Sequence, residues 1–492
     1  MENLTVLLIF VSIRIASVFL TQTYFVPDEY WQSIEVAHKI VFDYGYLTWE
    51  WINGIRSYIH PLIFAVLYKC LELTGLDNPH ALIYGPKILQ ALLSAYSDLC
   101  FYKWSGSKKW SVFIISSSWF WFYTGSRTLI NSFECALSTI ALNQFPWPGK
   151  GKDDNNKFIA LIAILFAIRP TGIILWIPLC LYHLTIIKTG IMKTVFLRYM
   201  PIGLLVLTIS TLLDSWMHGS FLVTGYEFVK YNFYYNIGEF YGSHPWHWYL
   251  SSGIPAIFGI NLIPFVIATI VVLKNRQVYP NELILLGTVV FTVIVYSCLP
   301  HKEFRFLLPL LPIVFYISSR FLSSWSRKAN TILLWAVAII IFTGNLGPTW
   351  YFSFAHQRGT LDVMDPLREI ASNDTSNKHF LFLMPCHSTP YYSHLHVNVS
   401  SRFLTCEPNF NKSNTHYIDE ADTFYNNPNV WLRQHYPPNG TLPSHIIMFD
   451  SLAAGVSDIL SRYKLTHQIF HTSFPTSRIG RFVLIHELLS KI

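Results

Sequence analysis

Four ionisable side chains stand within the six residues His301-Lys302-Glu303-Phe304-Arg305-Phe306, between two apolar runs of a chain in which only 13% of residues are charged. Beside hydrocarbon, such groups have to be offset by partners, a wet cavity or a ligand. Lys302 and Arg305 offer an ammonium point charge and a planar guanidinium fork, a pair suited to an anionic headgroup, with phosphate the obvious anion. His301 and Glu303 belong to the same binding cluster, and His301 reads as an orienting hydrogen-bond partner rather than a proton carrier. The second candidate is Phe25-Val26-Pro27-Asp28-Glu29-Tyr30-Trp31-Gln32, directly after the first apolar run. Pro27 can open a short helix, which places Asp28 and Glu29 in its first turn, where the helix dipole favours carboxylates. A carboxylate pair and a cationic pair together suit transfer of a group from a lipid phosphate to a hydroxyl. Lys302 or Arg305 neutralises the departing phosphate, Asp28 or Glu29 accepts the proton, and a single displacement inverts the carbon attacked. Arg127 and Arg169 are further candidates for the binding cleft, with pairing to Asp98 or to a helix end as their structural alternative. Asp153-Asp154 falls in a loop of the opposite side and reads as solvated, so neither a metal nor a cofactor is expected.

The elements that must position these residues are mostly membrane spans. The 492 residues are 52% hydrophobic, with a mean hydropathy of +0.35 and many runs of spanning length, which excludes a soluble globule. The net charge of +7 is dispersed through short loops, so it reads as an orientation signal and excludes a nucleic-acid partner. The aromatic load of 16 Trp, 28 Tyr and 37 Phe suits interfacial belts and sugar-stacking clefts equally. Run 4–24 lacks a basic leader and a cleavage site and is read as a retained helix. Apolar runs follow at 81–102, 110–123, 129–145, 158–168, 171–187, 199–216, 249–273, 283–299, 306–322 and 332–346. With run 60–73 taken as a re-entrant or lumenal helix whose Lys69 and Glu72 sit in a cavity, they predict an all-α polytopic membrane protein with about eleven crossings.

Basic loops at 103–109, 150–152, 188–198, 274–276 and 327–328 are assigned to the cytoplasm. Arg127, Arg169, loop 217–248, the His301 cluster and everything after 346 then fall on the other side. From Trp350 the composition turns polar, dividing the chain into a transmembrane domain, 1–348, and a small C-terminal α/β domain, 349–492. Strands are predicted at 379–384, 444–449 and 481–485, and helices at 422–435 and 452–463. Acceptor sequons begin at Asn373, Asn398, Asn411 and Asn439, all in the segment that charge bias sends to the lumen. Cys386 and Cys406 stand alone there without zinc-site spacing, and a disulfide between them is one possibility in an oxidising lumen. With both clusters on that side, one cleft would hold the carboxylates and the cations.

The run from His301 to Phe306 resembles the HKExRF signature of the glycosyltransferase family 22 mannosyltransferases, and Pro27-Asp28-Glu29 resembles the acidic first lumenal loop of their superfamily, GT-C. The stretch 25–51, Arg127-Thr128-Leu129-Ile130-Asn131, Arg169-Pro170-Thr171, Pro385-Cys386-His387-Ser388-Thr389-Pro390-Tyr391-Tyr392 and Arg402-Phe403-Leu404-Thr405-Cys406-Glu407-Pro408 are similar to the branch of the family that works on glycosylphosphatidylinositol (GPI). The resemblance implies a GT-C fold in the endoplasmic-reticulum membrane and a lumenal active site. It also implies dolichyl phosphate mannose as donor, and a GPI precursor glycolipid that receives its third mannose in an α1,2 linkage. Asp28 is the preferred base, with Glu29 second. Another family 22 activity, on an N-glycan precursor or on the fourth GPI mannose, stays open. A lipid transporter or a scaffold is disfavoured by the absence of an internal repeat and by the grouping of charges in loops.

Overall fold

The computed structural model describes residues 2–149, 156–187, 190–373, 378–410, 417–437 and 440–489. The basic residues at 150–152, Lys188, the Asp153-Asp154 pair and sequon residues Asn411 and Asn439 lie outside the described residues. Packing groups the chain into two compact units that are not contiguous in sequence. The first comprises 1–19, 53–62 and 87–349, and the second 20–52, 63–86 and 350–492.

The first unit is helical. Among the described residues, six helices are long and apolar enough to cross a membrane: Glu2–Leu20, Ile191–His218, Tyr249–Lys274, Pro280–Cys298, Phe304–Ser326 and Thr331–Ser372, the last running past the boundary between the units. Lys157–Ile168 and Pro170–Ile186 are shorter apolar helices, and the expected runs at 81–102, 110–123 and 129–145 are helical as well. Each expected run therefore contains helix, with 110–123 divided at Ser118 into Lys108–Ser117 and Trp119–Thr124, and the six long apolar helices make the chain a multi-span membrane protein. Uncharged spans satisfy their own backbone groups, as a hydrocarbon environment requires. Polar contacts tie the spans together where charges are buried. Arg14 and Asp98, both almost fully buried, pair at 2.7 Å; the same guanidinium donates to the carbonyls of Trp121 and Ile115, and the Trp121 indole donates to Asp98 at 2.8 Å.

The second unit is built on a five-stranded sheet of order β2-β1-β3-β5-β4, with β1 His379–Leu383, β2 Ser400–Phe403, β3 His445–Phe449, β4 Tyr463–Phe470 and β5 Phe482–Leu488. β1 runs parallel to β2 and β3, and β5 runs antiparallel to β3 and β4. β3 is buried at every position, as expected of a central strand with both faces covered. One face packs Leu381, Leu383, Ile446, Met448 and Leu484 against Phe424, Trp431 and Leu432. The predicted strands match β1, β3 and β5. The sequence reading missed β2, which is only four residues long, and β4, an exposed edge strand whose Tyr463-Lys464-Leu465-Thr466-His467-Gln468 run carries no apolar alternation. The predicted helix 422–435 is two helices, Glu420–Asn426 and Pro428–His435, because Asn427 precedes a proline and is driven out of helical geometry. The predicted helix 452–463 is a 3₁₀ segment, Asp450–Val456, a single turn, Ser457–Leu460, and the start of β4. Run 60–73 is the helix Ile59–Thr74, in which Lys69 and Glu72 pair with each other at 2.5 Å and keep about half and a third of their side chains exposed.

Candidate functional site

The His301 cluster lies in the first unit, on the connection between Pro280–Cys298 and Phe304–Ser326. Glu303 is its centre. Its carboxylate receives Nε of Arg305 at 2.6 Å and Nη2 at 2.5 Å, a two-pronged bond that fixes the guanidinium plane. The same carboxylate meets His301 Nε2 at 3.0 Å, while His301 Nδ1 lies 3.0 Å from the Gly242 carbonyl. A carbonyl and a carboxylate only accept, a setting that favours the imidazolium, in which both ring nitrogens donate. Burial by itself pulls the His301 pKa down, but the hydrogen bond and charge of Glu303 outweigh it and the net direction is up. For Glu303, burial opposes ionisation, and the charge of Arg305 together with the bonds from His301 and Arg305 overcomes it, holding the carboxyl well below its usual range. Lys302 is buried, and its ammonium donates to the carbonyls of His244, at 2.9 Å, and Leu299. Lys302 and Arg305 against the single Glu303 carboxylate leave the cluster with net positive charge even with His301 neutral.

Arg169 reaches this cluster. The Arg169 guanidinium lies 5.2 Å from the centre of the Phe306 ring and pairs at 3.1 Å with Glu134, an almost fully buried residue of helix Ile130–Gln144. Arg127 stacks on Tyr123 at 4.2 Å and donates to the Tyr123 carbonyl at 3.0 Å. Asp98, considered as a partner for either arginine, pairs with Arg14 instead, because Glu2–Leu20 packs where the sequence offers no sign of contact. Two participants were missed by sequence reasoning. One is Glu134, an isolated acid in an otherwise apolar and hydroxyl-rich helix; its presence in a span was the available signal. The other is Tyr249, whose hydroxyl oxygen accepts the Glu303 backbone N–H at 3.4 Å and which looked like one more interfacial aromatic.

The acidic loop lies in the second unit. The predicted turn forms: Trp31 and Tyr30 donate backbone bonds to the Pro27 carbonyl at 3.0 Å, and a wide helical turn covers Tyr30–Ile34. Glu29 is fully buried, whereas Asp28 is partly accessible. Trp31, one turn after Asp28, anchors the loop: its indole donates to the Thr389 carbonyl at 3.1 Å and its ring packs on His387 at 4.7 Å and Phe403 at 5.2 Å. His387 follows Cys386, which is disulfide-bonded to Cys406, and adopts φ +58°, a conformation unusual outside glycine. The two sulfurs are bonded to each other, so the Cys386, His387 and Cys406 group offers no thiolate to a metal. Burial pushes the His387 imidazole down to about 4, partly offset by the charge of Asp28, which makes it a neutral neighbour of that carboxylate. Glu35, also missed from sequence, accepts the backbone N–H groups of Tyr391 at 2.7 Å and Ser393 at 3.2 Å and the Ser393 hydroxyl at 2.5 Å. It clamps the helix Glu35–Phe42 to the 391–393 turn. Burial nevertheless raises its pKa to about 7.

With this geometry in place, comparison with known proteins is specific. The profile of the Alg9-like mannosyltransferase family matches residues 5–396. GPI mannosyltransferase 3 of Drosophila melanogaster is 49% identical over 96% of this chain and 84% of its own length. GPI alpha-1,2-mannosyltransferase 3 of Danio rerio is 42% identical over 100% and 90%, and its Homo sapiens namesake 42% over 99% and 87%. Among solved structures, ArnT from Cupriavidus metallidurans bound to undecaprenyl phosphate matches with a TM-score of 0.63, covering 99% of this chain and 98% of that one at 11% identity. The Archaeoglobus fulgidus oligosaccharyltransferase matches with a TM-score of 0.53, over 98% and 73%, also at 11% identity. These two establish likeness of fold, the GT-C arrangement expected from the acidic loop, and the sequence relatives establish kinship. The chain belongs to the Alg9-like mannosyltransferase family.

Proposed function

We propose that this protein transfers mannose from dolichyl phosphate mannose, with inversion, to a GPI precursor, adding the third mannose in an α1,2 linkage at the lumenal side of the endoplasmic-reticulum membrane. The observation that carries this reading is near full-length similarity to a relative named GPI mannosyltransferase 3, at 49% identity, and to relatives named GPI alpha-1,2-mannosyltransferase 3, at 42%. In this proposal Asp28 is the base that accepts the proton of the acceptor hydroxyl. It is the accessible member of the acidic pair, and buried Glu29 shapes the turn around it. A neutral His387 favours that role, because a cation beside Asp28 would lower its basicity. The net-positive cluster of His301, Lys302, Glu303 and Arg305 stabilises the phosphate as it departs, with Glu303 holding the guanidinium plane and Arg169, paired with Glu134, set beside Phe306. Arg127 is assigned a packing role. A phosphate leaving group needs little acid assistance, so the reaction is proposed to proceed with the lipid-linked donor and no resident metal or cofactor.

The deciding experiment is the identity of the glycolipid that accumulates when the protein is depleted. A GPI intermediate with two mannoses is the expected result. A truncated dolichol-linked N-glycan, or a GPI intermediate with three mannoses, would reassign the acceptor within the family.

A further inference from the structure

Residues 224–234 form one short helix, Thr224–Val229 running into Lys230–Tyr234, whose polarity is inside out. Tyr226, Val229 and Phe233, three and four positions apart and therefore on one face, are 65%, 49% and 60% exposed, with Tyr234 beside them at 72%. The polar side chains of the segment are partly covered and satisfied, within the helix or by the protein beside it. Glu227 and Lys230 pair at 2.8 Å, both largely covered; the Tyr231 hydroxyl donates to Asn53 at 3.1 Å; Asn232 donates to the Phe228 carbonyl at 2.9 Å. A surface helix in water has the opposite arrangement.

The apolar surface extends beyond the helix, through exposed Trp216 and Phe221 before it and Phe240, Tyr241 and Trp246 after it. Aromatic rings with polar tips gather where hydrocarbon meets water. The helix is also held at that level by its connections. Residues 219–223 alone separate it from the end of the span Ile191–His218, which itself buries almost nothing within the protein, and five residues reach at most about 18 Å. We propose that residues 221–246 lie along the membrane surface as an interfacial anchor, with the Tyr226, Val229 and Phe233 face in the headgroup region of the bilayer.

The far end of the same segment seats the cationic cluster. Gly242 and His244 supply the carbonyls bound by His301 and Lys302, and the His244 N–H donates to Pro300 at 3.0 Å. Gly242 sits at φ +110°, a turn that only glycine makes without strain. The anchor thereby fixes the cluster at the depth of lipid phosphates, a consequence that rests on the phosphate-binding role proposed above.

The test uses full-length protein in nanodiscs, with Cys70, Cys100, Cys135, Cys180 and Cys298 replaced by serine or alanine and an environment-sensitive fluorophore on Tyr226→Cys or Phe233→Cys. Quenching by nitroxide-bearing lipids together with poor quenching by aqueous iodide is the expected result. Accessibility to iodide without lipid quenching overturns the anchor, and protection from both, the sign of a protein cover, overturns it equally. The depth consequence has its own readout: Tyr226→Ser/Phe233→Ser raises KM for the lipid-linked donor severalfold with kcat nearly unchanged, and Phe233→Trp retains the wild-type KM. An unchanged KM in the double variant while the fluorophore reports lipid contact removes the link to the cluster. A wild-type protein that uses no dolichyl-linked donor points to the proposed function as the failure, and the quenching result stands apart from it.

Discussion

In the proposed reaction, single residues divide the chemistry between two kinds of group. Asp28→Asn keeps size and most hydrogen bonding while removing the charge that makes a carboxylate a base, so turnover should fall by at least about 100-fold with donor binding retained. Glu29→Gln, at a buried position, should be milder. Steady-state transfer in membranes separates the two, and full activity in both variants would send the search for the base to another carboxylate. Arg305→Lys should cost donor use about tenfold even though charge is kept, because an ammonium cannot make both bonds to Glu303 that hold the guanidinium in plane. Wild-type activity of Arg305→Lys across a donor titration would show that the planar fork is dispensable.

Elements are held in place by buried polar pairs as much as by apolar packing. The bridge from Arg14 on Glu2–Leu20 to Asp98 on Pro79–Ser105 is almost wholly removed from solvent. Breaking it with Arg14→Met strands the Asp98 charge and should lower stability by about 3–5 kcal/mol, whereas Arg14→Met/Asp98→Leu should recover most of the loss, since a well-packed apolar pair is often no worse than a buried ionic one. Denaturation of the purified variants in mixed micelles decides this, and equal destabilisation of the single and double variants would mean that shape rather than charge is what the pair supplies. The loops behave alike: Trp31 and Glu35 fix the acidic turn to the 385–393 run through hydrogen bonds between positions over 350 residues apart, and the Cys386–Cys406 disulfide closes that run over a separation of 20 residues.

For the whole molecule, pH should act through buried histidines. Burial holds His38 near about 3 and His387, His445 and His471 near about 4. Groups depressed in this way contribute stability above their unfolded value, about 6.5, and lose it as pH falls toward the folded values. Glu35 acts in the opposite sense: raised to about 7 by burial, its contribution is complete below its unfolded value and is lost as pH rises through 7. Four histidines against Glu35 and His301, whose raised value acts in the same sense as Glu35, predict a lower melting temperature at about pH 5 than at about pH 7.5, with a larger acid loss in Glu35→Gln, in which one opposing contribution is gone. Tryptophan-fluorescence melts across that range measure it, and a flat profile would contradict the sign. Lumenal placement of the second unit makes a separate claim. Asn398 is exposed, and glycosidase treatment should increase gel mobility, an effect that vanishes when Asn373, Asn398, Asn411 and Asn439 are all replaced.

The sequence by itself determined the membrane class, the helical segments, the polar carboxy-terminal region and the residues of both candidate clusters. Each of these is written in local composition: a hydrocarbon environment demands runs of apolar residues, and charges that interrupt them stand out. Strands β1, β3 and β5 were legible for the same reason, being short buried apolar runs, while β2 and β4 were not, since an edge strand exposes polar side chains and gains its order from the neighbour it pairs with. Tertiary structure alone decided the partners. Nothing near Asp98 in sequence points to Arg14, and nothing near Glu35 points to the 391–393 turn. The same holds for Glu303, whose grip on both His301 and Arg305 turns a row of charges into a net-positive cluster. Pairing of this kind depends on which surfaces meet, and the free energy of a buried charge is set by the group placed opposite it, not by its neighbours along the chain.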